Sequence, residues 1–237
     1  MKFLVLYKTL LAMVSSRARI LGFALVAAAQ LGIAAMVSNA VLADRTGAAV
    51  LMVDQFGMNL VVPIAALVFG TASLGDPIED GTYVYLWLRP IRRVSITAAA
   101  FASTLSMVIP LAVVPTVAGA LIIDGTFKMC IGAAVAALAG AIAYSALFVL
   151  LGQMTQRSLI WGIAYLLIFE QFISRGGAGL GLLTVHAHVS SLFGRILDRD
   201  IGRLDYFQMR TSVIALVVMT LIALWASAVR QNHLDVA

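Results

Sequence analysis

Charge is scarce in this sequence: only 11% of its 237 residues are Asp, Glu, Lys or Arg, where a soluble domain carries about 25%. With 62% hydrophobic residues and a mean hydropathy of +1.02, water is excluded as the main solvent. The single cysteine, Cys130, excludes an intrachain disulfide and lies in an apolar stretch, where it reads as a small packing residue. No glycine-rich loop ends in Gly-Lys-Ser or Gly-Lys-Thr, so the phosphate cradle of that nucleotide site is missing. No basic stripe interleaves with aromatics, which argues against a nucleic-acid surface despite a net charge of +5. Repeats, low-complexity tracts and a linker to a soluble domain are also missing.

What is present is a series of apolar runs long enough to cross a hydrocarbon core of about 30 Å. They predict an all-α membrane protein with a single transmembrane domain over residues 1–237 and six spans, at 20–42, 56–74, 95–123, 129–152, 158–173 and 211–229. The fifth is short against the roughly 20 residues of a straight crossing. Arg17 and Arg19 before the first run, and Val41-Leu42-Ala43 after it, imitate a signal peptide. The run is about twice as long as many signal cores, which predicts a retained helix. Residues 1–19 carry Phe3, Leu6, Tyr7, Leu10, Leu11 and Val14 at helical spacing among basic residues, the pattern of an interfacial helix. Pro63, Pro110 and Pro115 fall within spans and predict kinks.

Basic residues set orientation. Lys2, Lys8, Arg17, Arg19, Arg89, Arg92, Arg93, Arg157 and Arg230 flank spans on one side, which predicts a cytoplasmic location for that side and both termini. Between spans five and six, the apolar, glycine-bearing stretch 176–193 is too short for a full crossing and predicts a re-entrant or interfacial element. The charged stretch 195–210 follows it.

Few residues in the spans suggest chemistry. His186 and His188 would share a face only in a strand and lack an obvious companion ligand, so no metal is expected. The ten methionines are scattered as packing residues are. Glu170 and Asp54 stand near span ends, where the plain reading is a water boundary and the alternative is a cavity or partner. The spacing of carboxylates, serines and histidines gives no sign of convergence on a catalytic site.

Residues 76–93, DPIEDGTYVYLWLRPIRR, are the informative segment. Acidic Asp76, Glu79 and Asp80 stand at its start and Arg89, Arg92 and Arg93 at its end, which complements the dipole of a short surface helix between spans two and three. Glu79, Gly81-Thr82, Leu86, Pro90 and Arg93, in that order and spacing, resemble the permease subunits of ABC-2 type transporters, and the six-span arrangement extends the resemblance along the chain.

The resemblance implies an exporter permease, not itself an enzyme, that forms its pathway with a second permease chain, identical or homologous. Two copies of a separate ATPase subunit would carry ATP and Mg. Residues 79–93 would be the coupling helix, with Gly81 permitting close approach, Thr82 capping the helix, and Arg89 and Arg93 meeting acidic groups of the ATPase or lipid headgroups. It also implies re-entrant helices between spans five and six and a bacterial inner membrane. The length of 195–210 leaves room for an outer-side partner. A rival reading is a membrane scaffold that anchors an ATPase without passing a substrate; an intramembrane enzyme centred on Glu170 and the histidines is weaker. Substrate stays open.

Overall fold

The computed structural model describes residues 2–40, 44–82, 92–155, 157–173, 181–199 and 207–231. Among these, all regular structure is helical. In chain order the helices are α1 (Lys2–Val14), α2 (Arg17–Asn39), α3 (Arg45–Glu79), α4 (Arg93–Ile123) and α5 (Phe127–Met154). Then come α6, α-helical over Ser158–Tyr165 and π-helical over Leu166–Ile173, α7 (Val185–Leu197) and α8 (Met209–Arg230).

Five helices, α2, α3, α4, α5 and α8, are long and apolar enough to cross a bilayer, which makes this a multi-pass membrane protein. The segment expected as the fifth span forms the apolar helix α6, which is shorter than these five and does not reach that length. Helix α3 is central, with 78% of its most apolar window buried, whereas α2 is peripheral at 11%. Outward faces are apolar too: Val213, Ile214, Val217, Leu221 and Trp225 line the exposed side of α8. In lipid that surface costs nothing, and the inner contacts must come from close packing and interhelical hydrogen bonds.

Both kinds of contact are visible. Helices α3 and α5 meet through glycine: a Cβ on Gly152 would lie 2.7 Å from the Thr71 carbonyl oxygen, and one on Gly70 would lie 2.9 Å from Phe148 Cβ. Alanines 65, 66, 133, 136, 137 and 141 fill the core beside Phe69, Tyr144 and Phe148. Gln30 on α2 donates to Thr116 on α4 at 3.1 Å, Gln231 donates to Thr97 at 2.8 Å, and the hydroxyls of Ser227 and Thr97 lie 3.4 Å apart.

Helix α1 turns Leu6, Leu10 and Val14 inward, as its spacing predicts, and leaves Phe3, Leu4 and Val5 about half exposed. The Tyr7 and Ser106 hydroxyls are 2.8 Å apart, and Ser106 lies about 20 Å along α4 from Arg93 at 1.5 Å per residue. The helix therefore leans up α4.

Three π-helical stretches interrupt the ladders, at Met52–Val61 in α3, Ile109–Val113 in α4 and Leu166–Ile173 in α6. Pro63 and Pro110 explain the first two. Each lacks the N–H that would bond four residues back, and the register widens beside it. The expected proline kinks take this form. Such widened turns often accompany functional positions, and Asp54 and Glu170 both stand on them.

Candidate functional site

Two places carry candidate functional residues: the end of α3, where residues 79–93 begin, and a buried polar centre between α3, α6 and α7.

Glu79 is the last residue of α3 and is exposed. Gly81 follows at φ +67°, the left-handed conformation that ends helices and favours glycine, with nothing within 4 Å of a Cβ built there. Its glycine therefore serves the turn and not a close approach within this chain. The Thr82 hydroxyl donates to the Pro77 carbonyl at 3.3 Å at the end of α3; the helix that Thr82 is expected to cap lies outside the described residues. Arg93 opens α4. Leu86, Arg89 and Pro90 lie outside the described residues. Arg19 donates to Asp76 at 2.7 Å, tying α2 to α3 at the same end of the bundle.

The second place was missed by reasoning from spacing. Glu170 is 2% exposed and is no boundary residue. It lies twelve residues beyond Ser158, about 18 Å along α6. Its carboxylate accepts the backbone N–H groups of Val185 and His186 at 3.1 and 3.0 Å and the Tyr165 hydroxyl at 3.1 Å. These are the first N–H groups of α7, which no residue of that helix can satisfy. The direction of α7 explains the need. Its Leu197 end packs on Gly132 and its Val189 on Gly140, so its N-terminus reaches down α5 toward Tyr144, whose hydroxyl neighbours Glu170. There, away from water, a carboxylate completes the helix dipole.

Asp54 is likewise 2% exposed, so the boundary reading fails for it too. Ser190 of α7 donates to it, Gln55 donates at 2.6 Å, and His186 Nε2 stands 4.0 Å from it. Asp54, His186 and Ser190 thus converge, contrary to the expectation from spacing. The order differs from the hydrolytic relay, in which serine donates to imidazole and imidazole to carboxylate: here serine donates straight to the acid. His186 is the hinge of the centre, with its backbone on Glu170 and its ring facing Asp54.

The two histidines do not share a face. On a helix, residues two apart point to different sides, and His188 turns to the Leu182 carbonyl at 3.1 Å and the Phe207 ring at 4.7 Å between centroids. Burial pushes its imidazole below the ordinary value, opposed by the Leu182 carbonyl and the Glu170 charge. Among the described residues no group of three or more His, Cys, Asp or Glu could hold a metal.

Beside this centre the surface turns polar. Gln55 is exposed, and Asn59 and Gln171 are half-buried and hydrogen-bonded to one another at 2.8 Å. Gln55 lies about 15 Å along α3 from Arg45, at a depth where a lipid-facing side chain is expected to be apolar. The mark that could have found this face is the i, i+4 pairing of Gln55 with Asn59 before Pro63, read together with Gln171.

At the other end, Lys128 donates to Asp198 and holds its carboxyl below the usual range, and Arg199 lies 3.6 Å from Asp44. The expected outer-partner stretch 195–210 therefore begins in contacts to α5 and α3; residues 200–206 lie outside the described ones. The chain matches no family model and no curated protein, so its assignment rests on its own residues.

Proposed function

We propose that this chain is the permease subunit of an ATP-driven ABC exporter. The observation that carries the reading is the polar face of Gln55, Asn59 and Gln171 on α3 and α6. An exposed Gln55 beside the half-buried pair Asn59 and Gln171 at that depth suits a water-lined pathway between two chains and is costly against lipid. One chain supplies one wall, so a second permease chain, identical or homologous, completes it.

The residues Glu79, Gly81, Thr82, Leu86, Pro90 and Arg93 support coupling to a separate ATPase, two copies of which would carry the ATP and Mg. Helix α3 is continuous from Arg45, through the π-helical stretch that holds Asp54 and Gln55, to Glu79. A push on residues 79–93 would therefore reach the pathway along one rigid element. In this reading α6 is the fifth of six crossings, α7 is a re-entrant helix, and the end bearing Arg19 and Arg157 faces the cytoplasm of a bacterial cell.

The test is co-purification with the candidate ATPase and measurement of ATP hydrolysis, for the native chain and for Glu79→Arg/Arg93→Glu. Association lost in the reversal, with unchanged thermal melting of the permease alone, supports coupling. Unchanged association and hydrolysis overturn it.

A further inference from the structure

A pocket of about 220 Å³ opens where α2, α3 and α6 end together, lined by Arg19, Thr71, Asp76, Glu79, Arg157 and Ser158. Its floor is the first turn of α6. Arg157 caps that helix without a side-chain hydrogen bond; its carbonyl takes the Ile160 N–H at 3.1 Å, which leaves the Ser158 and Leu159 N–H groups beside the opening without a cap. Ser158 is 6% exposed, and its hydroxyl makes no hydrogen bond among the described residues. Arg157 makes no ion pair among them. A helix N-terminus, a free guanidinium and a buried hydroxyl that converge on one space form an anion site for a phosphate group.

The opposite wall is acidic. Asp76 is held by Arg19 at 2.7 Å, which leaves Glu79 exposed at the rim. A ligand that fits both walls carries a phosphate and a cation a few atoms apart. Leu159 and Ile160 line the pocket, and Ile160, Ile163 and Leu167, at i, i+3 and i+7 along α6, are 62%, 46% and 56% exposed, an apolar stripe that leads from the pocket along the helix beside Trp161, itself 60% exposed. An interfacial tryptophan in that position is a usual membrane anchor.

We propose that this pocket binds the phosphoethanolamine headgroup of a membrane phospholipid. The phosphate sits on Arg157, the Ser158 hydroxyl and the α6 N-terminus, the ammonium sits against Glu79, and the acyl chains run along Ile160, Ile163 and Leu167. The ammonium matters because three N–H donors reach a carboxylate that a quaternary choline cannot hydrogen-bond. The lipid would join α2, α3 and α6 at the root of residues 79–93. The proposal rests on the membrane location and not on the transport reading.

The test uses the purified, delipidated full chain, offered equal amounts of phosphatidylethanolamine, phosphatidylcholine and phosphatidylglycerol and read by native mass spectrometry. Phosphatidylethanolamine should be retained at least tenfold over phosphatidylcholine. Arg157→Gln should reduce its retention about tenfold, as loss of one charged contact does, and Glu79→Gln should remove the preference over phosphatidylcholine. Ser158→Ala, a smaller change, should weaken retention severalfold and serves where Arg157→Gln melts early. Equal retention of ethanolamine and choline lipids overturns the proposal, as does a folded Arg157→Gln or Ser158→Ala chain that retains as much. Competition by soluble glycerophosphoethanolamine as strong as by the lipid would also overturn it, by identifying a soluble ligand.

Discussion

The Glu170 carboxylate closes the N-terminus of α7 through the N–H groups of Val185 and His186, at 3.1 and 3.0 Å. A helix that starts inside the bundle would otherwise bury those donors, so one acid in α6 sets where α7 can begin. Glu170→Ala removes both acceptors and should lower stability by about 2–5 kcal/mol, since each buried N–H donor left unsatisfied costs about 1–3 kcal/mol. Glu170→Gln keeps one acceptor and should cost about half as much. Thermal melting of the purified chain in detergent gives the order, and equal melting of both variants and the native chain would remove the cap.

Helix α3 approaches α5 at Gly152, where a Cβ would lie 2.7 Å from the Thr71 carbonyl oxygen. Gly152→Ala should cost about 1–3 kcal/mol, as overpacking does, and Gly152→Leu should abolish the folded yield. Gly22, inside α2 with nothing within 4 Å of its Cβ position, is the control: Gly22→Ala should not lower melting and should add up to about 1 kcal/mol of stability, as alanine does in place of a mid-helix glycine.

His188 adds a pH dependence. Burial lowers its folded-state value, so the folded state binds a proton less readily than the unfolded one. Its contribution to stability is complete above the unfolded value of about 6.5 and is lost as pH falls from there toward the lowered folded value. The native chain should therefore lose more melting temperature between pH 7.5 and 5.5 than His188→Gln, which titrates nothing at that position. Parallel losses would show that the ring does not titrate in this window.

The apolar runs were legible because lipid leaves a long, simple mark: four of the five long helices start or end within three residues of the expected spans, and α3 contains its span and extends well past it in both directions. That extension was hidden because Asp54, just before the expected span, reads as a boundary until the structure shows it buried within one helix over Arg45–Glu79. The convergence of Asp54, Glu170, His186 and Ser190 was not legible either. It joins residues from three helices, and no spacing along the chain encodes a contact between positions 54 and 190. The π turns beside Pro63 and Pro110 were half legible, as kinks without their widened register.

The central claim is that Gln55 and its neighbours face water in an ATP-driven pathway. The direct measurement is modification of Gln55→Cys, in a Cys130→Ser background, by a membrane-impermeant thiol reagent in vesicles that hold the permease with its ATPase. The account predicts modification at a rate that changes at least severalfold when nucleotide is trapped on the ATPase. A cysteine that only lipid-soluble reagents reach, at the same rate with and without nucleotide, would place this face against lipid and contradict the account.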